Sequence, residues 1–315
     1  MPRPCRAPWP VGVAEALARL GGPPTALPAD WPYRQASHTV RAAGQDWHLQ
    51  ILGQPPGQAP TMLLLHGTGA STHSWRALMP QLMPHFCLLL PDLPGHGASA
   101  RPAQDQGLSL PGMALGLAAL LKVLRLSPDV IVGHSAGAAV AARLCLDGGA
   151  APQTLISING AWYPPQGVTG WLYSPMARLM DLNPLAPALF SWRAAKLPLM
   201  RRLVEGTGSR LDDEGLHWYQ RLAANPRHVG AVLTMMAQWD LLPLLQDLPA
   251  LEPALQLVVA EGDLAVAPAQ AQRLLSLVPG ASLHRVGGGG HLLHEESPTA
   301  IAALLGVLAG RPVPR

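Results

Sequence analysis

The stretch Val130-Ile131-Val132-Gly133-His134-Ser135-Ala136-Gly137-Ala138-Ala139 decides how this chain is read. Its first three residues form an unbroken β-branched run, which suits a strand buried on both faces. A Gly-x-Ser-x-Gly pentapeptide and a run of small residues follow, the pattern of a strand that turns sharply into a helix. On such a turn the residues two before and two after the serine must lack bulk, because the backbones approach closely; Gly133 and Gly137 meet that need. Ala136, Ala138 and Ala139 keep the first helical turn slim. The turn sets Ser135 at a helix N-terminus, where free amides and the helix dipole favour a developing negative charge. Ser135 is thus the candidate nucleophile, with Gly133, His134 and Gly137 as its elbow.

Working outward, short apolar runs recur at residues 62–65, 87–90, 155–158 and 257–259, and helical candidates at 109–124, 136–146 and 268–277 lie between them. Alternating strands and helices predict an open, doubly wound, mostly parallel sheet. Residues 36–52 read as two further short strands around the turn at Ala43-Gly44. The alternation fails over some ninety residues, which carry helical periodicity, prolines and no buried strand. The expected organisation is an N-terminal extension at 1–30, a core at 31–159 and 252–315, and an inserted helical lid at 160–251. The lid holds Trp162, Trp171, Trp192, Trp218 and Trp239 with Tyr163, Tyr173 and Tyr219. Such aromatics could wall a pocket for a large apolar molecule, Trp162 and Trp239 being the candidates; packing within the lid is the alternative.

A serine hydroxyl needs a histidine to take its proton and a carboxylate to orient that histidine. Ala260-Glu261-Gly262-Asp263 follows an apolar strand, which puts Asp263 at a strand's C-terminal edge, with Glu261 facing the other way. The glycine run 287–290 leads into His291, the candidate base, with His294 as its rival three residues on. Acyl chemistry also needs two donors for an oxyanion: the Ala136 amide, and one from the loop after an earlier strand. His66-Gly67-Thr68-Gly69 occupies that loop; Gly67 and Gly69 let its amides turn inward, and Thr68 is the expected donor. His66 is expected to brace the loop.

Composition narrows the alternatives. The formal charge of +3 comes from scattered arginines, with lysine only at Lys122 and Lys196, so no basic stripe suits nucleic acid. Cys5, Cys87 and Cys145 have no metal-ligand spacing, no P-loop occurs, and the glycine run lacks a dinucleotide-binding context; neither metal nor cofactor is implied. The proline-rich start reads as neither signal nor anchor, and the longest apolar run, 112–121, is too short to span a bilayer. A cytoplasmic protein is expected. Trp171-Leu172-Tyr173 and Leu179-Met180 offer a weaker expectation of peripheral membrane contact.

The order Ser135, Asp263, His291 behind an upstream oxyanion loop is that of the α/β-hydrolases. The runs 65–75 (Leu-His-Gly-Thr-Gly-Ala-Ser-Thr-His-Ser-Trp), 91–97 (Pro-Asp-Leu-Pro-Gly-His-Gly) and 132–139 carry the resemblance further. With Trp31-Pro32, the segment 157–160, Ser174-Pro175-Met176-Ala177, Gly206-Thr207-Gly208-Ser209 and Trp239-Asp240-Leu241, the chain resembles the BchO type, the magnesium-chelatase accessory proteins of bacteriochlorophyll synthesis. The resemblance implies an α/β-hydrolase fold, a tetrapyrrole-like ligand such as a porphyrin, and magnesium chelatase as a partner. One departure stands out: four glycines precede His291 where a bulkier residue commonly packs the loop, which would loosen the base.

Overall fold

The unbroken apolar runs become the centre of one eight-stranded sheet. In the computed structural model, which describes residues 20–25, 27–164, 186–194 and 197–313, the strands are β1 (Ser37–Ala42), β2 (Gln45–Gly53), β3 (Thr61–Leu65), β4 (Cys87–Pro91), β5 (Val130–His134), β6 (Thr154–Ile158), β7 (Ala254–Ala260) and β8 (Ser282–Val286). Their order is β1-β2-β4-β3-β5-β6-β7-β8. β1 pairs with β2 and β2 with β4 antiparallel, and all later pairs are parallel. Every residue of β3, β4 and β5 is buried. The reason is that both faces are covered: Leu63, Leu65, Ile131, Leu155 and Leu257 face one core, and Met62, Leu64, Val132, Ile156 and Val258 the other.

The first core is closed by α2 (Leu110–Leu124) and α3 (Ala136–Leu146), the second by α1 (Met79–Leu82) and α11 (Pro298–Leu308). α2 starts where expected, because the Ser109 hydroxyl accepts from the Gly112 amide at 3.2 Å. It ends with Arg125 in the left-handed region at φ 53°.

Between β6 and β7 the described residues form helices only: α4 (Ala186–Ala194), α5 (Leu197–Glu205), α6 (Asp213–Ala223), α7 (Pro226–Gln238) and α8 (Leu242–Asp247). Asp212 caps α6 by accepting from the Gly215 amide at 2.8 Å, and Asn225 caps α7 by accepting from Arg227 at 3.0 Å. α9 (Ala269–Leu277) and α10 (Leu293–Glu296) complete the C-terminal part. The inserted helices are fastened to the core at defined points. Met200, Val204 and Leu216 pack on Leu292, next to His291. On α7, Ala231 sits so close to Gly95 that a Cβ there would lie 2.5 Å from it.

The segments at Trp171-Leu172-Tyr173 and Leu179-Met180, read as a membrane-contact region, lie outside the described residues, as do Cys5 and most of the N-terminal extension. Among the described residues no helix is long and apolar enough to cross a membrane.

Candidate active site

Parallel strands deliver their C-terminal ends to one edge, and the residues singled out from the sequence gather there. β5 ends at His134 and α3 begins at Ala136, so Ser135 alone makes the turn, at φ 52° and ψ −120°. A non-glycine residue held there stores about 1–3 kcal/mol of strain that the surroundings must hold in place. The surroundings are tight. A Cβ on Gly133 would fall 2.5 Å from the Ala138 backbone, and one on Gly137 would fall 2.2 Å from the Leu65 carbonyl. The Ser135 amide donates to the Ile158 carbonyl at 3.1 Å, and its own carbonyl accepts from Ala138 and Ala161, each at 3.1 Å.

The oxyanion loop lies directly over the elbow, since a Cβ on Gly67 would be 3.0 Å from Ser135 Cβ. His66 braces this loop as expected: fully buried, it bonds the Gly67 carbonyl through Nδ1 at 2.8 Å and accepts from the Leu93 amide through Nε2 at 2.9 Å. The inserted α7 contributes a second brace that the sequence reading missed. His228 Nδ1 accepts from the Gly97 amide and its Nε2 bonds the Gly69 carbonyl, both at 3.2 Å. Because Nε2 faces a carbonyl, it must carry the proton. Burial pulls the His228 pKa down to about 4, which keeps the ring neutral for this double contact. Ala136 is the first residue of α3, and Thr68 lies between Gly67 and Gly69 in the loop after β3.

Asp263 and His291 come together across 28 residues, Asp263 Oδ2 accepting from His291 Nδ1 at 2.8 Å. The other carboxylate oxygen accepts from the Ala265 and Val266 amides, each at 2.8 Å, and the side chain is buried. With Nδ1 donating to the carboxylate, Nε2 is left as the acceptor a hydroxyl proton needs. Ser135 Oγ makes no hydrogen bond to His291 among the described contacts, so only the acid and the base are joined directly. Glu261, the neighbouring carboxylate, is exposed.

The rival base His294 has other surroundings, as does His134 of the elbow. The rings of His291, His134 and His294 form a row, with centroid separations of 4.8 and 4.4 Å, and Trp75 closes it at 4.7 Å from His294. His134 Nε2 bonds the His291 carbonyl at 2.9 Å. His294 is fully buried with neither ring nitrogen partnered, and burial drives its pKa down to about 3. Burial, helped by His294 and His291, likewise holds His134 well below the ordinary histidine range.

The glycine run before His291 serves a purpose the sequence did not reveal. The cap loop 206–209 wedges between the acid and base loops: a Cβ on Gly208 would lie 2.1 Å from the Gly262 carbonyl, and one on Gly290 would lie 2.2 Å from Gly208. The loop also holds the base segment, with the Thr207 carbonyl accepting from the His291 amide at 3.3 Å and Ser209 Oγ from the Leu292 amide at 2.8 Å. Bulk at these positions would push three loops apart.

The described aromatics of the insertion are dispersed. Trp162 is a core residue, 1% exposed, its indole donating to Ser157 Oγ at 3.2 Å. Trp239 is half-buried against the same core. Trp218 packs edge-on against Trp31, at 5.3 Å between centroids, and Trp192 is exposed. A cavity of about 610 Å³ beside α6 is lined by Tyr33, Arg76, Asp212, Glu214, Trp218 and Glu295, and Ser135 is not among its walls.

A second Ser-His-Asp set lies elsewhere. His48 Nδ1 bonds Asp92 Oδ2 at 2.6 Å, and His48 Nε2 bonds Ser37 Oγ at 3.0 Å. All three residues are buried. Asp92 also accepts from the Thr72 and Ala98 amides, at 2.7 and 2.8 Å. Burial works to raise the Asp92 pKa, but His48 and these donors hold it well below the usual carboxylate range.

Known proteins share this architecture. A model of the Alpha/beta hydrolase family matches residues 62–304. The Magnesium-chelatase 30 kDa subunit of Rhodobacter capsulatus is 36% identical over 282 residues, covering 90% of this chain and 97% of that protein. Among solved structures, an alpha/beta hydrolase fold protein from Burkholderia ambifaria superposes with a TM-score of 0.68 at 25% identity, over 85% of this chain and 98% of that one. The enol-lactonase from Burkholderia xenovorans LB400 does so at 0.70 and 18%, over 87% of this chain and 100% of that one. Elbow, sheet order and these similarities together make the chain a member of the alpha/beta hydrolase family, of the BchO type that the magnesium-chelatase 30 kDa subunit represents.

Proposed function

We propose that the protein is a serine hydrolase of bacteriochlorophyll synthesis, associated with magnesium chelatase and acting on an ester of a large apolar, tetrapyrrole-like molecule. The observation that carries the hydrolytic part is the 2.8 Å bond between His291 Nδ1 and a buried Asp263, beside a serine held at φ 52°. In this reading Ser135 Oγ attacks the ester carbonyl while His291 Nε2 takes its proton, and the oxyanion forms against the Thr68 and Ala136 amides. Collapse expels the alcohol, which leaves with the proton from His291. Water then repeats the sequence on the acyl-enzyme, His291 again taking and returning a proton, and releases the acid. Asp263 holds the imidazole in the productive tautomer and stabilises its charged form throughout.

The pathway part rests on similarity to a protein named as a magnesium-chelatase subunit. That name also favours a second reading, in which the chain binds and delivers a porphyrin to the chelatase with Ser135 idle. Complementation separates the two. In a deletion strain of a bacteriochlorophyll-producing host, a folded Ser135→Ala protein should fail to restore pigment. Full restoration would replace catalysis with delivery. Normal pigment in the deletion strain itself would leave a general carboxylesterase of another pathway.

A further inference from the structure

The four-glycine run removes the side chains that would otherwise hold the base loop, yet His291 must keep its ring within reach of both Asp263 and Ser135. Thr207 and Ser209 hold the amides of His291 and Leu292, which leaves the carbonyl side of the base segment to be fixed. One side chain at the end of β6 fixes it from the centre of the sheet. Asn159 Nδ2 donates to the Gly290 carbonyl at 3.0 Å and to the His291 carbonyl at 2.9 Å. Its Oδ1 accepts from the Ala260 amide at 2.8 Å, at the end of β7, the strand that leads into Asp263. Its own amide donates to the Val258 carbonyl at 2.9 Å. A single buried carboxamide therefore ties the acid's strand to the base's loop. Its backbone stands at φ 46°, a left-handed conformation that asparagine tolerates better than most residues. The His291 carbonyl is held by a second donor, His134 Nε2 at 2.9 Å, so both of its lone pairs are engaged by residues on neighbouring strand ends.

We infer that Asn159 is the positioning residue of the base, holding the His291 main chain so that the imidazole stays aimed from Asp263 toward Ser135. The inference rests on the hydrolase reading of Ser135 and His291 for its consequence, though not for its geometry. Asn159 touches no substrate; it acts through His291. The Asn159→Asp variant isolates the function, because the carboxylate keeps the size, the tolerance of positive φ and the acceptor for Ala260, while the donor to Gly290 and His291 is replaced by an oxygen facing two carbonyls.

Two readouts test it on the full chain: steady-state hydrolysis of p-nitrophenyl butyrate, and the NMR signal of the His291 Nδ1 proton shared with Asp263. For folded Asn159→Asp we expect kcat to fall about 10- to 100-fold with KM within about twofold, the scale of a misaimed catalytic group, and the Nδ1 proton signal to broaden or vanish. A kcat within twofold of wild type, a loss confined to KM, or an unchanged proton signal overturns the inference. Should wild type hydrolyse nothing, the hydrolase reading fails on its own. The proton signal then decides alone: its loss in the variant upholds the clamp, and its persistence overturns it. If Asn159→Asp does not fold, Asn159→Gly, which keeps the backbone conformation and deletes every side-chain bond, is measured in the same way against the same outcomes.

Discussion

Ser37, His48 and Asp92 make a more completely bonded relay than Ser135, His291 and Asp263, since hydrogen bonds of 3.0 and 2.6 Å join the first set throughout while only the acid and base of the second are bonded. By connectivity alone the first would be taken for the active site. The difference lies in the setting of each serine. Ser37 sits in extended backbone at φ −83° and ψ 140°, buried in the sheet edge, and its oxygen also accepts from Gln50 Nε2 at 3.1 Å. Ser135 sits on a strained turn at a helix start, with Gly67 of the loop after β3 packed against its side chain. The first set binds β1 to β2 and to the loop after β4. The second, in the proposed reading, would stabilise charge on something that enters. A Ser-His-Asp arrangement is therefore a statement about proton bonding, and a strained elbow with oxyanion donors is what adds the capacity for acyl transfer.

Substitution of the two serines puts the largest strain on this comparison. Ser135→Ala should lower p-nitrophenyl ester turnover by about 10³-fold or more and leave urea unfolding nearly unchanged. Ser37→Ala should leave turnover within about twofold yet cost about 1–3 kcal/mol in the same unfolding experiment, because His48 and Gln50 keep buried groups without a partner. The opposite pattern would exchange the roles.

The carboxylates should part in the same way. Asp263→Asn should reduce kcat by about 10²- to 10⁴-fold through the wrong imidazole tautomer, with the protein still folded by circular dichroism. Asp92→Ala should destabilise by about 1–3 kcal/mol for each buried donor it leaves unpaired, at His48, Thr72 and Ala98.

Acid should act on the buried histidines of the row beside the candidate base and of the loop brace. His134, His228 and His294 all have pKa values lowered from 6.5, with His228 at about 4 and His294 at about 3. Between 6.5 and those values the unfolded chain holds more protons than the folded one, so their stabilisation is full above 6.5 and is lost as pH falls toward 4 and then 3. Each group contributes at most about 1.4 kcal/mol per pH unit across its window. His294→Phe removes two unpartnered buried nitrogens; its melting temperature at pH 7 should be unchanged or higher, and its decline between pH 6 and 4 shallower than wild type. An identical slope would place the acid sensitivity elsewhere.

The smallest effect concerns the link between cap and oxyanion loop. His228→Gln replaces both contacts to Gly69 and Gly97 with less rigid ones, and kcat should drop about two- to tenfold, the scale of one hydrogen bond. A rise in KM larger than the fall in kcat would assign His228 to substrate binding.

Much of this could be read from residues near one another in the chain. Strands buried on both faces leave unbroken apolar runs, so residues 62–65, 87–90 and 130–132 announced the sheet, and a serine between Gly133 and Gly137 announced the turn. Asp263 and His291 were legible because each follows a strand end with loop residues around it. What stayed hidden depends on partners far along the chain. Ser37, His48 and Asp92 meet only because β1 and β2 pair antiparallel and β2 then lies against β4. Asn159 is one polar residue after a strand, and its meaning comes from a loop 131 residues away. Trp162 was open to either role because aromatic residues serve cores and ligands alike; it is buried, with its indole bonded to Ser157. The glycines before His291 looked like a loosened loop; the cap segment at Gly208 shows why the last of them, Gly290, must lack a side chain.

Active-site labelling with a fluorophosphonate, mapped by peptide mass spectrometry on folded protein near pH 8, tests the central claim most directly. The account predicts a single adduct on Ser135, retained in Ser37→Ala and absent in Ser135→Ala. An unlabelled wild type, or an adduct that survives Ser135→Ala, would contradict it.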